Sequence, residues 1–292
     1  MKREKIHFRQ FFLLLVCVSI ICSSFQWLFP YKNYTKIAHR GDVAQAPENT
    51  MAAFHSALNN GFDVIELDIH LSKDKKIVVI HDASVNRTTN GEGLVNDMTI
   101  AELQKLNAGS WYSQHFSEEK IPLLQEVLDE FAGKIVLLIE IKAGAETPEI
   151  VEQLANQLKQ TVNAGVPAKM LQIQSFHIDA LKQFTERAPD FPIGLVLSTP
   201  INLIQMYSYK TEISFLSIHY SNLTQSFIQQ AKHYGYTIYA WTIVTPLQFK
   251  QMQLLGVDGI ISNNLERREE NRYFAFLQSF IEGHRLLERF FV

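Results

Sequence analysis

Residues 64–70 read Val64-Ile65-Glu66-Leu67-Asp68-Ile69-His70, a β-branched, apolar run with two carboxylates set into it. Successive side chains of a strand point to opposite faces, so Glu66 and Asp68, two apart, point the same way. Similar short runs occupy residues 36–39, 135–141, 170–174, 193–197, 215–219, 237–241 and 258–261. Helical patterns fall between them at 50–60, 148–163, 178–187, 224–233 and 246–255. Gly61, Gly165, Gly235 and Gly256 follow several of these, as helix-ending residues do. Alternation of strand and helix implies a parallel sheet with crossover helices, and eight strands over residues 35–264 fit an α/β fold of the TIM (β/α)₈ barrel type. Residues 83–121 break the rhythm with turn chemistry at Asn90-Gly91, Gly93, Asn107 and Gly109. They read as a small insertion after the second strand, and long loops inside compact domains are commonly functional.

In a barrel of this kind the active site lies at the C-terminal ends of the strands. The polar residues most out of place gather there. His39-Arg40 ends the first run, Glu66 and Asp68 sit in the second, His81-Asp82 follows a short extension, and Glu140 with Lys142 ends the third. Glu140, arriving from the neighbouring strand, would converge with Glu66 and Asp68 near the barrel axis. Carboxylates that close raise one another's pKa or recruit a cation. Oxygen ligands favour a hard divalent ion, Mg²⁺ or Ca²⁺, over zinc. His39 and His81 add acid–base groups that titrate near neutral pH, and Arg40 and Lys142 add positive charge for an anion. Singly, each residue has a plainer reading: a structural histidine, the solvent face of an edge strand, a surface pair. Their joint placement at strand ends implies metal-assisted chemistry on an anionic substrate, and phosphoryl transfer above all.

Composition sets the outer bounds. The 292 residues are 47% hydrophobic and 20% charged, which allows a sizeable core. With 27 basic and 30 acidic residues the net charge is −3, so there is no global basic surface for nucleic acid. Both cysteines, Cys17 and Cys22, lie in the N-terminal apolar segment, leaving the barrel without thiol chemistry or disulfides.

That segment opens with Lys2, Arg3, Lys5 and Arg9 and continues with an apolar run over 11–29. Nineteen helical residues span about 28 Å, matching a bilayer's hydrocarbon core. The expectation for residues 1–34 is therefore a cytoplasmic basic tip and a single transmembrane helix, with the catalytic domain extracytoplasmic. The competing reading is a cleaved signal peptide and a secreted protein, although no small-x-small cleavage site stands out. Residues 265–292 read as a C-terminal helix with Phe276, Phe280, Leu287 and Phe291 on or near one face.

At the residues that carry the chemistry, the sequence resembles the glycerophosphodiester phosphodiesterase family. The first motifs are His39-Arg40-Gly41, Ala46-Pro47-Glu48-Asn49-Thr50, Glu66-Leu67-Asp68 and His81-Asp82. The insertion continues with Arg87-Thr88-Thr89, Ala108-Gly109-Ser110-Trp111 and Ile121-Pro122. Glu140-Ile141-Lys142, Gln174-Ser175-Phe176, Trp241-Thr242 and Asp258-Gly259-Ile260-Ile261 complete the series. The resemblance implies that Glu66, Asp68 and Glu140 bind one divalent cation, that His39 and His81 are the general base and acid, and that Arg40 and Lys142 hold the phosphate. It implies cleavage of a glycerophosphodiester to glycerol 3-phosphate and an alcohol, beneath an insertion placed over the site. Gln174, Phe176, Trp111, Phe116 and Trp241 are candidates for the substrate pocket. Two positions depart from the pattern: Ile243-Val244 follows Trp241-Thr242 where Asn or Asp is common, and Asn263 stands where the last strand often ends in Asp. Three rivals follow: a lysophospholipase D acting on lysolipids at a membrane surface, a barrel that has lost catalysis, and an enolase-like enzyme, whose lysine arrangement is missing here.

Overall fold

The computed structural model describes residues 34–142, 147–199 and 213–264. The anchor expected at 11–29 and the helix expected at 265–292 lie outside these residues. No helix among the described residues is long and apolar enough to cross a membrane.

Eight strands run parallel and close on themselves. They are β1 (Thr35–Ala38), β2 (Val64–Leu71), β4 (Val136–Ile141), β5 (Leu171–Ser175), β6 (Ile193–Leu197), β7 (Phe215–His219), β8 (Thr237–Ile243) and β9 (Gly259–Ser262). Pairing of β1 with both β2 and β9 shuts the barrel. Its crossover helices include α1 (Met51–Asn59), α3 (Leu124–Phe131), α4 (Thr147–Asn163), α5 (Ile178–Arg187), α6 (Gln225–His233) and α7 (Pro246–Leu255). Local chemistry starts them: the Thr50, Thr224 and Thr245 hydroxyls accept from backbone N–H groups in the first turns of α1, α6 and α7.

Strand β2 shows how the alternation works. Ile65, Leu67, Ile69 and Leu71 face outward into the core shared with the helices. The inward residues divide by height. Val64 joins Ile37, Leu138, Phe215, Tyr239 and Ile261 in an apolar floor inside the barrel, whereas Glu66 and Asp68 stand above it. The floor needs two glycines. Gly194 pairs with Phe215 and Gly259 with Tyr239 across neighbouring strands, and a Cβ on Gly194 would lie 1.9 Å from the Phe215 ring.

A further strand, β3 (Ile77–Val79), runs antiparallel to the end of β2, outside the closed barrel. It leads into the insertion, which holds a one-turn helix α2 (Ile100–Leu103). Val78, Ile80, Val85, Val95, Leu103, Ala108 and Ile121 form a small core of its own. The Glu119 carboxylate accepts from the Ala52 N–H at 3.3 Å, tying the insertion to the first turn of α1.

Gly194→Ala should lower stability by about 1–3 kcal/mol, the range for overpacking a filled interior. Urea unfolding of the variant beside the parent chain measures it, and an unchanged midpoint would show that Phe215 has room to move.

Candidate active site

The site is built where the first strands stop. After Ala38 the chain turns sharply: Arg40 has φ 58° and Gly41 φ 85°, both left-handed. For a non-glycine residue that conformation is strained, and it persists where the surroundings hold it. Here the Arg40 N–H donates to Glu66 Oε2 at 2.8 Å. Asn49, also left-handed at φ 55°, donates from Nδ2 to Asp68 Oδ2 at 2.9 Å. The turn and the loop after it thus orient two of the carboxylates.

Glu66, Asp68 and Glu140 are all buried, and their oxygens lie within 4.8 Å of one another. Asp68 and Glu140 are direct partners in the β2–β4 register. Burial, then the charges of Asp68 and Glu140, push the Glu66 carboxyl well above the ordinary range. Burial and Asp68 likewise push Glu140 up to about 7. Asp68 goes the other way: burial pushes it up, but Lys142 and Arg40 outweigh that and hold it at about 2. Lys142 Nζ donates to Asp68 Oδ1 at 2.8 Å and also to Glu140 Oε1, and Arg40 Nε lies 3.5 Å from Asp68 Oδ2. Three crowded oxygen donors balanced by two monovalent cations suit a hard divalent ion well. Arg40 Nε is buried without a hydrogen bond and faces Asp68 only through the 3.5 Å ion pair.

The two histidines have different partners. His39 Nδ1 donates to Asn263 Oδ1 at 2.6 Å, which leaves Nε2 unprotonated. Burial, then the Arg40 charge, lower its pKa to about 4. His81 Nδ1 donates to the Asp82 carboxylate at 2.6 Å, and its backbone carbonyl accepts from His70 Nε2. Burial lowers the His81 pKa, while Asp68 and Asp82 act to raise it.

His39, Arg40, Glu66, Asp68, His81, Glu140 and Lys142 line one cavity of about 100 Å³. Gln174, Phe176 and Trp241 complete its wall, with Val196, Thr242 and Ile261. Gln174 Nε2 donates to Glu140 Oε2 at 3.3 Å, and its Oε1 accepts from Ser217. Trp111 and Phe116 are not brought there. Trp111 packs edge-on against Tyr112 with its indole N–H on the Ala108 carbonyl, and Phe116 also packs edge-on against Tyr112. Their aromaticity serves the insertion. Residues that sequence reasoning left without a role, Glu48, Asn49, Asp82, Arg87 and Asn263, hold the lining groups in place.

The model of the glycerophosphoryl diester phosphodiesterase family matches residues 39–267. The chain belongs to that family. YhdW of Bacillus subtilis is 40% identical over 233 residues, 78% of this chain and 93% of that one. A glycerophosphodiester phosphodiesterase of Caldanaerobacter subterraneus is 38% identical over 79% of this chain and 94% of its own length. Among solved structures, an Oleispira antarctica phosphodiesterase in complex with the product sn-glycerol-3-phosphate superposes with a TM-score of 0.74. It is 32% identical, and the match covers 78% of this chain and 92% of that one. Family membership and the cavity's chemistry point to one catalytic centre.

With its pKa lowered to about 4 by burial and the Arg40 charge, His39 stays neutral from neutral pH well into the acid range. A carboxylate in place of the Asn263 amide would favour the imidazolium and raise that pKa. Asn263→Asp should therefore move the acid limb of kcat/KM to higher pH. A pH–rate profile in which the limb stays in place or moves to lower pH would contradict this.

Proposed function

We propose that this phosphodiesterase hydrolyses glycerophosphodiesters to glycerol 3-phosphate and an alcohol, with Glu66, Asp68 and Glu140 holding one Mg²⁺ or Ca²⁺ ion. The observation that carries the reading is the single cavity in which a buried carboxylate triad, two cations and two differently partnered histidines meet. When bound, the ion supplies positive charge toward the phosphoryl oxygens.

The Arg40 guanidinium and the Lys142 ammonium hold the phosphate and offset the charge it gathers as the bond breaks. His39, neutral and free at Nε2, takes the proton of the attacking group, either water or the neighbouring glycerol hydroxyl; in the second case a cyclic phosphate forms, and water then opens it to glycerol 3-phosphate. His81 gives a proton to the departing alcohol oxygen. The partners separate the roles: the Asn263 amide carries no charge, so it favours the His39 imidazolium less than a carboxylate would, whereas the Asp82 carboxylate sets a full negative charge beside His81. A lysolipid is the less favoured substrate, because the curated relatives are named for glycerophosphodiesters and the similar Oleispira antarctica structure holds sn-glycerol-3-phosphate. A barrel without catalysis is disfavoured by the complete set of groups.

The basic-then-apolar order of residues 1–29 supports a single-pass anchor with the barrel extracytoplasmic, in preference to a cleaved signal. Carbonate-resistant membrane association of the full chain tests this; a soluble product trimmed after the apolar run would support secretion.

The purified enzyme should release glycerol 3-phosphate from glycerophosphocholine, lose that activity in EDTA and regain it with Mg²⁺ or Ca²⁺. His39→Ala and His81→Ala should each lower kcat by roughly 10²- to 10⁴-fold, the usual worth of a positioned acid or base. Near-normal turnover by either variant would sink its assignment, and faster turnover of lysophosphatidylcholine would overturn the substrate class.

A further inference from the structure

Arg87 lies on the insertion and does not line the cavity, yet it is the most fully bonded guanidinium near it. Its Nε and Nη2 donate to the two oxygens of Asp82 at 2.7 and 3.0 Å. Its Nη1 and Nη2 donate to the two oxygens of Glu48, both at 2.8 Å. Each carboxylate carries the contact one step further. Asp82 accepts from His81 Nδ1 at 2.6 Å, and Glu48 accepts from Arg40 Nη1 at 2.8 Å. The result is a ladder of alternating charge, Arg40–Glu48–Arg87–Asp82–His81, drawn from the β1–α1 loop, the segment after β3 and the insertion. Its ends are a phosphate-holding cation and a histidine of the site.

We propose that Arg87 is a positioning residue for the leaving-group acid: its double fork fixes Asp82 as a charged, oriented acceptor and so aims the His81 ring at the departing oxygen. The proposal rests on the phosphodiesterase reading given above. Two features favour this role over simple support. The Arg87 side chain is 44% exposed and touches no group of the cavity itself, yet both carboxylates it grips pass the contact on, Glu48 to Arg40 and Asp82 to His81. The geometry is also specific to a planar fork: two carboxylates are each gripped by two parallel N–H groups, which a lysine ammonium on its flexible stem does not reproduce. Arg87 holds the Asp82 carboxyl well below the ordinary range, so the acceptor stays ionised wherever the enzyme works.

The reaction step supplies a selective test. As the phosphorus–oxygen bond breaks, its electron pair goes to the alcohol oxygen, which needs the His81 proton when the alcohol is an alkyl one. A p-nitrophenolate leaves as a stable anion and needs no proton. A misplaced acid therefore harms the first substrate and spares the second, while general damage to the site harms both.

Arg87→Met and Arg87→Lys should be compared with the parent enzyme on glycerophosphocholine and on the p-nitrophenyl ester of glycerol 3-phosphate. Parent turnover of both diesters tests the underlying reading separately. Arg87→Met should lose about 10- to 100-fold in kcat on the choline diester, part of what a positioned acid contributes, and less than about 3-fold on the nitrophenyl ester. Arg87→Lys should fall between the parent and Arg87→Met on the choline diester alone, and it provides the same comparison if the Met variant folds poorly. Equal losses on both substrates, or no loss on either, would overturn the proposal.

Discussion

Three carboxylates buried within 4.8 Å of one another repel, and the rest of the site is arranged around that repulsion. At an effective dielectric of about 20, each pair of full charges at this separation costs roughly 3–4 kcal/mol. Lys142 and Arg40 offset part of this, which is why Asp68 stays ionised while Glu66 and Glu140 are pushed up. Holding such a cluster together takes rigid support. The parallel register of β2 with β4 supplies it, together with the apolar floor below and the strained turn at Arg40. Crowding that would weaken an ordinary core here leaves three carboxylates placed so that they could hold a metal ion.

The barrel was legible because its strands are short β-branched, apolar runs set between helical patterns, and the observed strands end within two residues of those runs. The helix at Leu124–Phe131 was not, because the residue before it is Leu123, which has no side-chain oxygen to announce a cap. Glu126 reaches back instead to accept from the Leu123 N–H. Strand β3, three residues long, is too short to show a pattern.

In the site, residues whose chemistry is their own could be read directly: Glu66, Asp68, Glu140, His39 and His81 come together in one cavity. Residues whose meaning lies in a partner could not. Glu48 and Arg87 are 39 positions apart, and only folding shows that they share hydrogen bonds. Trp111 and Phe116 do not line that cavity, because an aromatic residue in an insertion can equally serve the loop's own packing, as their contacts with Tyr112 show.

The cavity wall is unevenly divided along the chain. Every acid, base and cation in it comes from the segments up to Lys142, whereas the opposite wall of Gln174, Phe176, Val196, Trp241, Thr242 and Ile261 comes from the segments that follow. The first half of the barrel thus carries the cavity's charged and titratable groups, and the second contributes mainly shape and an amide. Such a division allows the two halves to change at different rates. Substitutions in β5, β6 and β8 can reshape the cavity while its charged groups remain where they are, so a lineage can change the shape it accepts without moving the charges that meet it.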